Sequence, residues 1–168
     1  LNVAADAFVN SAMTGANGGL VVVAADDPSM HSSQNEQDSR FYGKFALVPT
    51  FEPADQQEAY DMAKAAFDLS ERFRIPVLMR LTTRMAHSRA VVETGEARAE
   101  NPLSHPEQPR QWVLMPGNSR VRYQTLLEDY ARLEEESAAS PFNAYTEGPD
   151  KRLGIVACGI AHNYLMEN

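Results

Sequence analysis

The chain holds a single cysteine among its 168 residues, Cys158. That count excludes an internal disulfide framework and an iron–sulfur cluster held by four cysteines of this chain. It fits a reducing compartment, so a cytoplasmic location is expected. Cys158 lies in the apolar run Leu153-Gly154-Ile155-Val156-Ala157-Cys158-Gly159, where a buried, inert structural thiol is expected rather than a nucleophile. Long apolar runs are absent. The longest, Gly19 to Ala25, has the length of a strand and is too short to cross a bilayer, so no membrane partner is expected. Cationic charge is scarce as well: 15 Lys and Arg stand against 23 Asp and Glu, a net charge of −8. Nucleic-acid binding needs clustered basic residues, so no such partner is expected. The acidic balance reads as solubility. The four histidines, His31, His87, His105 and His162, form no pair at metal-ligand spacing on one element, and no metal site is expected.

What is present is an alternation of helical and strand-like segments. Val3, Ala4, Ala7, Phe8, Ser11 and Ala12 share one face of a helix over 2–16, which Gly15 and Asn17-Gly18-Gly19 end. Leu20-Val21-Val22-Val23-Ala24-Ala25 is a continuous apolar run of the kind that suits a parallel strand covered on both faces. Phe45-Ala46-Leu47-Val48-Pro49 reads as a second short strand. Pro53 to Arg74 gives the clearest helix, acidic in its first turns, basic in its last, and apolar along Ala59, Met62, Ala63, Ala66, Phe67, Leu69 and Phe73. Ile75 to Thr82 reads as a third strand with Pro76 at its start. This order signals an α/β fold with a partial parallel sheet.

Composition shifts after about residue 95. Four prolines between 97 and 117 mark a linker, residues 119–137 form a polar helix, Leu153 to Gly159 reads as a fourth strand, and Ile160 starts a further helix. Three units are therefore expected: 1–95, the linker with its helix over 96–151, and 152–168 as the start of a second α/β domain. Leu1 stands where a start methionine would, and both ends read as helices. The chain is expected to be a piece of a longer polypeptide, with an unpaired sheet edge that favours a homo-oligomer.

Chemistry concentrates in Asp26 to Asp38, thirteen mostly polar residues after the first strand. In open α/β sheets, ligands bind at the carboxyl ends of the strands. The loop carries His31, Ser32, Ser33, Gln34 and Asn35, short side chains suited to directed hydrogen bonds. The purely structural alternative is a capping box, with Ser32 or Ser33 as N-cap and Glu36 closing it. Arg40 follows, and its structural alternative is a surface ion pair with Glu36. His31 could donate to a substrate oxygen, since imidazole is a side chain suited to proton transfer; its alternative is a loop histidine held by backbone contacts. Arg80 and Arg84 read as structural or interfacial, and His105 as solvated. The acidic stretch Glu128 to Glu136 reads as a solvated helix face, and Trp112 to Met115 as an apolar pin for the linker.

The run Ala24-Ala25-Asp26-Asp27-Pro28-Ser29-Met30-His31-Ser32-Ser33-Gln34-Asn35-Glu36-Gln37-Asp38 resembles the large subunit of indolepyruvate:ferredoxin oxidoreductases, within the thiamine-diphosphate-dependent 2-oxoacid:ferredoxin oxidoreductase superfamily. Leu1 to Asp6, Gln57 to Asp61, Arg80 to Arg84 with His87, Ser140 to Asn143, and Gly154 to Tyr164 are similar to that family too. The resemblance implies that residues 1–95 are the carboxyl-terminal part of a pyrimidine-binding domain. It implies thiamine diphosphate with magnesium and 4Fe-4S clusters as cofactors of the complete enzyme, none fully bound by this chain. The implied partners are the remainder of the large subunit, a small subunit, ferredoxin, coenzyme A and the 2-oxoacid. The family's catalytic glutamate lies upstream of the matching segment and its cluster cysteines downstream, so the chain alone is expected to be inactive. Arg40 occupies the place of a substrate-carboxylate arginine in related pyruvate enzymes; His31 is the second substrate-binding candidate; Ser32, Ser33, Gln34, Asn35 and His87 are candidate pocket wall. The competing readings are a relative acting on pyruvate or 2-oxoglutarate, and a noncatalytic α/β interaction module on the same scaffold.

Overall fold

A 3-10 turn at Asn2–Ala4 leads into helix α1, Ala5–Thr14, which buries Phe8 and Ala12. The computed structural model describes all residues, 1–168. Strand β1, Val21–Asp26, is followed by helix α2, Arg40–Ala46, and the two-residue strand β2, Thr50–Phe51. Helix α3, Gln56–Phe73, crosses over to strand β3, Val77–Thr82, and β3 runs directly into the short helix α4, Thr83–His87. The three strands form one sheet in the order β1-β3-β2. Both pairings are parallel, with Val21 opposite Val77 and Thr50 opposite Leu78. The α/β class and the parallel sheet expected from the sequence are therefore observed.

β3 is central because its sequence tolerates burial on both faces and both edges. Val77 and Leu78 are fully buried, and Pro76 stands just before the ladder, where its missing N–H leaves no gap. One face of the sheet carries a core of Phe8, Ala12, Ala24, Ala46, Val48, Phe73, Ile75, Leu78, Leu126 and Leu133. Helix α3 is capped by Asp55, whose carboxylate accepts from the Glu58 amide at 2.8 Å; the expected start at Pro53 is thus moved to the first residue able to cap. At its far end Ser70, fully buried, donates to the Ile75 carbonyl at 2.6 Å and accepts from the Leu20 amide at 2.8 Å. That hydroxyl ties α3 to the starts of both β1 and β3.

Two expected strands are corrected. Phe45 and Ala46 belong to α2, which stops at Leu47 in a left-handed conformation (φ 59°); the strand is only Thr50–Phe51. Short apolar runs do not distinguish strand from buried helix by periodicity. Here Ala46 turns to the core while Phe41 and Phe45, four residues apart, face out. Gly43 lets α2 press onto β2, since a Cβ there would overlap the Thr50 hydroxyl. Leu153 to Gly159 forms no strand. It has no neighbouring strand to pair with, and Ile155 and Val156 are exposed.

Beyond α4, residues 88–108 hold no helix or strand. A 3-10 turn at Pro109–Trp112 precedes helix α5, Pro116–Ala138, which packs on α1 through Leu126 and Leu133. Helix α6, Ile160–Met166, completes the chain's elements. No helix is long and apolar enough to cross a membrane.

Candidate functional site

Three parallel strands place their carboxyl ends on one rim of the sheet. That rim carries Asp26 and Asp27 from β1, Glu52 just past β2, and Thr82 and Thr83 at the end of β3. A buried charge needs partners, and here the partners are supplied in full. Arg80, 4% exposed, sends Nε to Asp26 Oδ2 at 2.5 Å and Nη1 to Glu52 Oε1 at 2.6 Å. Asp26, 3% exposed, also accepts from the Ser39 amide and hydroxyl, each at 2.6 Å. This pair of bonds fixes the chain just before α2. Asp38 lies 3.8 Å from Arg80 Nε.

Asp27 organises the loop. Its carboxylate accepts from the backbone amides of His31 (3.1 Å), Ser32 (2.7 Å) and Ser33 (2.8 Å), and from the Thr83 hydroxyl (2.7 Å). The Ser32 amide and then the Thr83 hydroxyl are the leading causes that hold Asp27 well below the usual carboxylate range. To curl around one carboxylate the chain takes positive φ at Ser29 (67°) and Met30 (55°). The alternative of a capping box is therefore not observed. No helix starts at Ser32 or Ser33; their amides serve Asp27, and Glu36 accepts from the Ser29 amide at 2.9 Å.

Arg40 is the first residue of α2, with its side chain 53% exposed. It binds Asp38 through two bonds, Nε to Oδ1 at 2.8 Å and Nη2 to Oδ2 at 2.7 Å. The ion pair with Glu36 is not formed; Asp38 is two residues away and lies in the fork of the guanidinium. Arg40's hydrogen bonds lower the Asp38 pKa to about 2, and Asp38 in turn raises that of Arg40, with Glu52 and Cys158 adding smaller contributions.

The segment before α6 returns to the same rim. Gly159 adopts φ 54°, and a Cβ there would sit 2.6 Å from Glu52 Cγ, so only glycine fits this approach. Asn163 Nδ2 donates to the Ala54 carbonyl at 2.8 Å, and the Arg84 guanidinium stacks 5.2 Å over the Tyr164 ring. Phe142 meets Phe51 edge-on at 5.6 Å. Cys158 is exposed, contrary to the buried thiol expected from its apolar neighbours. Because the run forms no strand, nothing covers the thiol.

The structure brings His31, Ser32 and Ser33 together around Asp27, and Arg40 beside Asp38 on the neighbouring segment. Gln34 and Asn35 are exposed, Asn35 bonding only to Gln37. His87, the last residue of α4, is exposed. The sequence reading missed the residues that hold these groups: buried Asp26 and Ser39, and partly buried Glu52 and Thr83. The available signal was Arg80, a charged residue inside an otherwise apolar strand, which demands buried carboxylates nearby.

Two clefts are present, the first on the outer side of α3 and the second beside the rim, where Ala54, Phe142 and Asn163 also line it. One of about 420 Å³ is lined by Tyr60, Lys64, Phe67 and residues 95–98; the other, about 360 Å³, involves Asp55, Glu58, Asp61, Phe142 and His162. The oxygens of Asp26 and Asp27 are taken by this chain's own donors, and no three His, Cys, Asp or Glu side chains gather as a metal set. These residues alone do not fit thiamine diphosphate and its magnesium. They form a polar rim at the ends of the strands.

The chain is 46% identical over 170 residues to indolepyruvate oxidoreductase subunit IorA of Methanothermobacter marburgensis and, at the same identity and length, to that of Archaeoglobus fulgidus. It is 45% identical over 174 residues to the Pyrococcus abyssi subunit. This chain is similar to one segment of subunit IorA. The match takes in 99% of the chain and 27% of each IorA relative, so the chain spans about a quarter of their length. No family model matches, and no solved structure matches.

Proposed function

We propose that this chain is part of the large subunit of an oxidoreductase that oxidatively decarboxylates aryl 2-oxoacids of the indolepyruvate type. The product is the acyl-coenzyme A, and the electrons pass to ferredoxin. The observation that carries the reading is the polar rim at the ends of the parallel strands, in a chain that matches IorA subunits along 99% of its length. Thiamine diphosphate, held by the remainder of the complete enzyme, would supply the electron sink that decarboxylation needs; magnesium and 4Fe-4S clusters belong to the same proposal. The remainder of the large subunit and a small subunit complete the site, so the chain alone is inactive.

Within that enzyme Arg40 holds the substrate carboxylate. Its guanidinium already presents two parallel donors to a carboxylate, that of Asp38, and it is half exposed. An oxoacid would take over this fork as Asp38 turns toward Arg80. His31 lies on the exposed side of the Asp27-centred turn and donates to the substrate's oxo group, while Ser32, Ser33, Gln34, Asn35 and His87 line the wall.

The test is turnover of an oxoacid panel by the assembled, full-length enzyme, with ferredoxin reduction as the readout. Indolepyruvate and phenylpyruvate are expected to be used with kcat/KM at least tenfold above pyruvate and 2-oxoglutarate. Preference for pyruvate or 2-oxoglutarate would move the chain to a sister enzyme. No turnover with any oxoacid would favour a noncatalytic module.

A further inference from the structure

We infer that Asp38 is a specificity-determining residue: it competes with the substrate's carboxylate for Arg40, and its charge, kept on the rim, disfavours substrates that carry a second carboxylate. The inference deepens the proposed function and rests on its assignment of Arg40 to the substrate.

The fork of Arg40 is already filled. Asp38 accepts from Arg40 Nε at 2.8 Å and from Nη2 at 2.7 Å, one carboxylate oxygen for each nitrogen. A guanidinium holds a bound carboxylate in this same two-pronged way. An arriving anion therefore meets a resident of its own chemistry. Its apparent affinity is reduced by the fraction of time that the resident keeps the fork closed.

Asp38 also has a second cation beside it. Its Oδ1 lies 3.8 Å from Arg80 Nε, and Arg80 is anchored by Asp26 and Glu52 at 4% exposure. On leaving Arg40, Asp38 stays next to a fixed guanidinium, so its charge remains on the rim. The linked groups are three carboxylates, Asp26, Asp38 and Glu52, against two guanidiniums, Arg40 and Arg80. The set is one negative charge in excess before any substrate arrives. A monocarboxylate adds one more and a dicarboxylate two, and like charges this close are only partly screened. Asp38 therefore weighs more heavily against the dianion.

The rival account makes Asp38 a brace. Its Oδ1 accepts from the Arg40 amide at 3.2 Å, at the first turn of α2, and it could serve only to hold that turn and its guanidinium in place. The two accounts predict opposite signs. Loss of a competitor tightens anion binding, and loss of a brace weakens it.

Calorimetry on the assembled, full-length enzyme separates them with two unreactive probes. Phenylacetate and 4-carboxyphenylacetate share a ring and differ by one carboxylate. Asp38→Asn keeps an acceptor for the Arg40 amide and removes the charge. It is expected to lower the Kd of phenylacetate about three- to tenfold, and that of 4-carboxyphenylacetate by about threefold more. Asp38→Ser, a second neutral variant, guards against an amide variant that fails to fold and should shift both probes in the same direction. Asp38→Glu keeps the charge and should leave both Kd values close to those of the wild type. Unchanged or weaker binding of phenylacetate in the neutral variants would overturn the inference in favour of the brace. Equal tightening of the two probes would overturn it as well, because the charge of Asp38 would then not discriminate. Neither probe needs turnover, so the two readings fail separately. An inactive oxoacid panel with these Kd shifts would remove the reaction and leave the role of Asp38 standing. Wild-type binding of phenylacetate by Arg40→Ala would remove the role of Arg40 and that of Asp38 with it.

Discussion

Residues 1–87 and residues 88–168 are almost equal in length and opposite in construction. Of the 26 buried residues only Leu126, Leu133 and Gly159 lie beyond His87. The first half condenses around β3 and closes a buried ion network at the strand ends. The second half is laid over it. Residues 88–108 touch α3 through exposed polar groups: the Glu93 amide to Gln57 Oε1 at 2.8 Å, the Gly95 amide to the Tyr60 hydroxyl at 3.0 Å, and Arg98 to Asp68. Exposed ion pairs of this kind contribute roughly 0–1 kcal/mol, while ordering one residue of backbone costs about 1–2 kcal/mol. Helix α5 is better attached, by two leucines and by Arg122, whose Nε donates to the Met13 carbonyl at 3.0 Å. The difference teaches that sheet formation, not the whole chain, builds the candidate site, and that the second half enters it at a few residues, Phe142, Gly159, Asn163 and Tyr164.

The contrast can be broken most forcefully at Arg80. Arg80→Met leaves Asp26 and Glu52 without their cation, and a loss of about 3–5 kcal/mol is expected from a broken buried pair, read as a lower urea midpoint. Leu78→Ala, in the fully buried centre of β3, is expected to cost about 2–5 kcal/mol. Leu133→Ala in α5 should fall at or below the lower end of that range, because α5 is a single helix laid on α1 and can shift to close the gap; an equal loss in both would erase the distinction.

Acid should act on the first half. Asp27 and Asp38 are both depressed in the folded state. Their contribution is complete above the unfolded carboxylate pKa of about 4 and is lost as pH falls through the folded values, near 2 for Asp38. The urea midpoint should therefore decline below about pH 5. Asp38→Asn should flatten that decline, and an unchanged slope would contradict it. The smallest effects belong to the second half. Trypsin should cut at Arg89 and Arg98 without lowering the melting temperature of the remaining core by more than about 1 °C, and Arg152→Ala, which breaks an exposed pair with Asp150, should change stability by less than about 0.5 kcal/mol.

How much of this was legible in the sequence follows from the same contrast. The β-branched run at Leu20–Ala25 and the amphipathic stretch inside Pro53–Arg74 state their own structure, and both were readable. Phe45–Pro49 was not, because five apolar residues fit a strand and a helix turn equally well, and Gly43 packing on Thr50 decides between them. Leu153–Gly159 has strand composition but no neighbour, and a strand exists only as part of a pair. At the site, the polar density of Asp26–Asp38 marked the location. The roles within it were hidden, since Asp26 and Asp27 are adjacent in sequence and serve two separate networks. Asp26 reaches Arg80, fifty-four residues away, and Asp27 gathers the loop. Such partners are set by the register of β1 against β3, which no local pattern states.

The central claim is that this rim holds the carboxylate of a 2-oxoacid through Arg40. Steady-state kinetics of the full-length enzyme carrying Arg40→Ala test it most directly. Loss of a two-pronged, charge-assisted bond of about 1.5–3 kcal/mol predicts that KM for indolepyruvate rises about 10- to 100-fold, with Arg40→Lys recovering part of the loss. A KM unchanged within twofold in Arg40→Ala would contradict it.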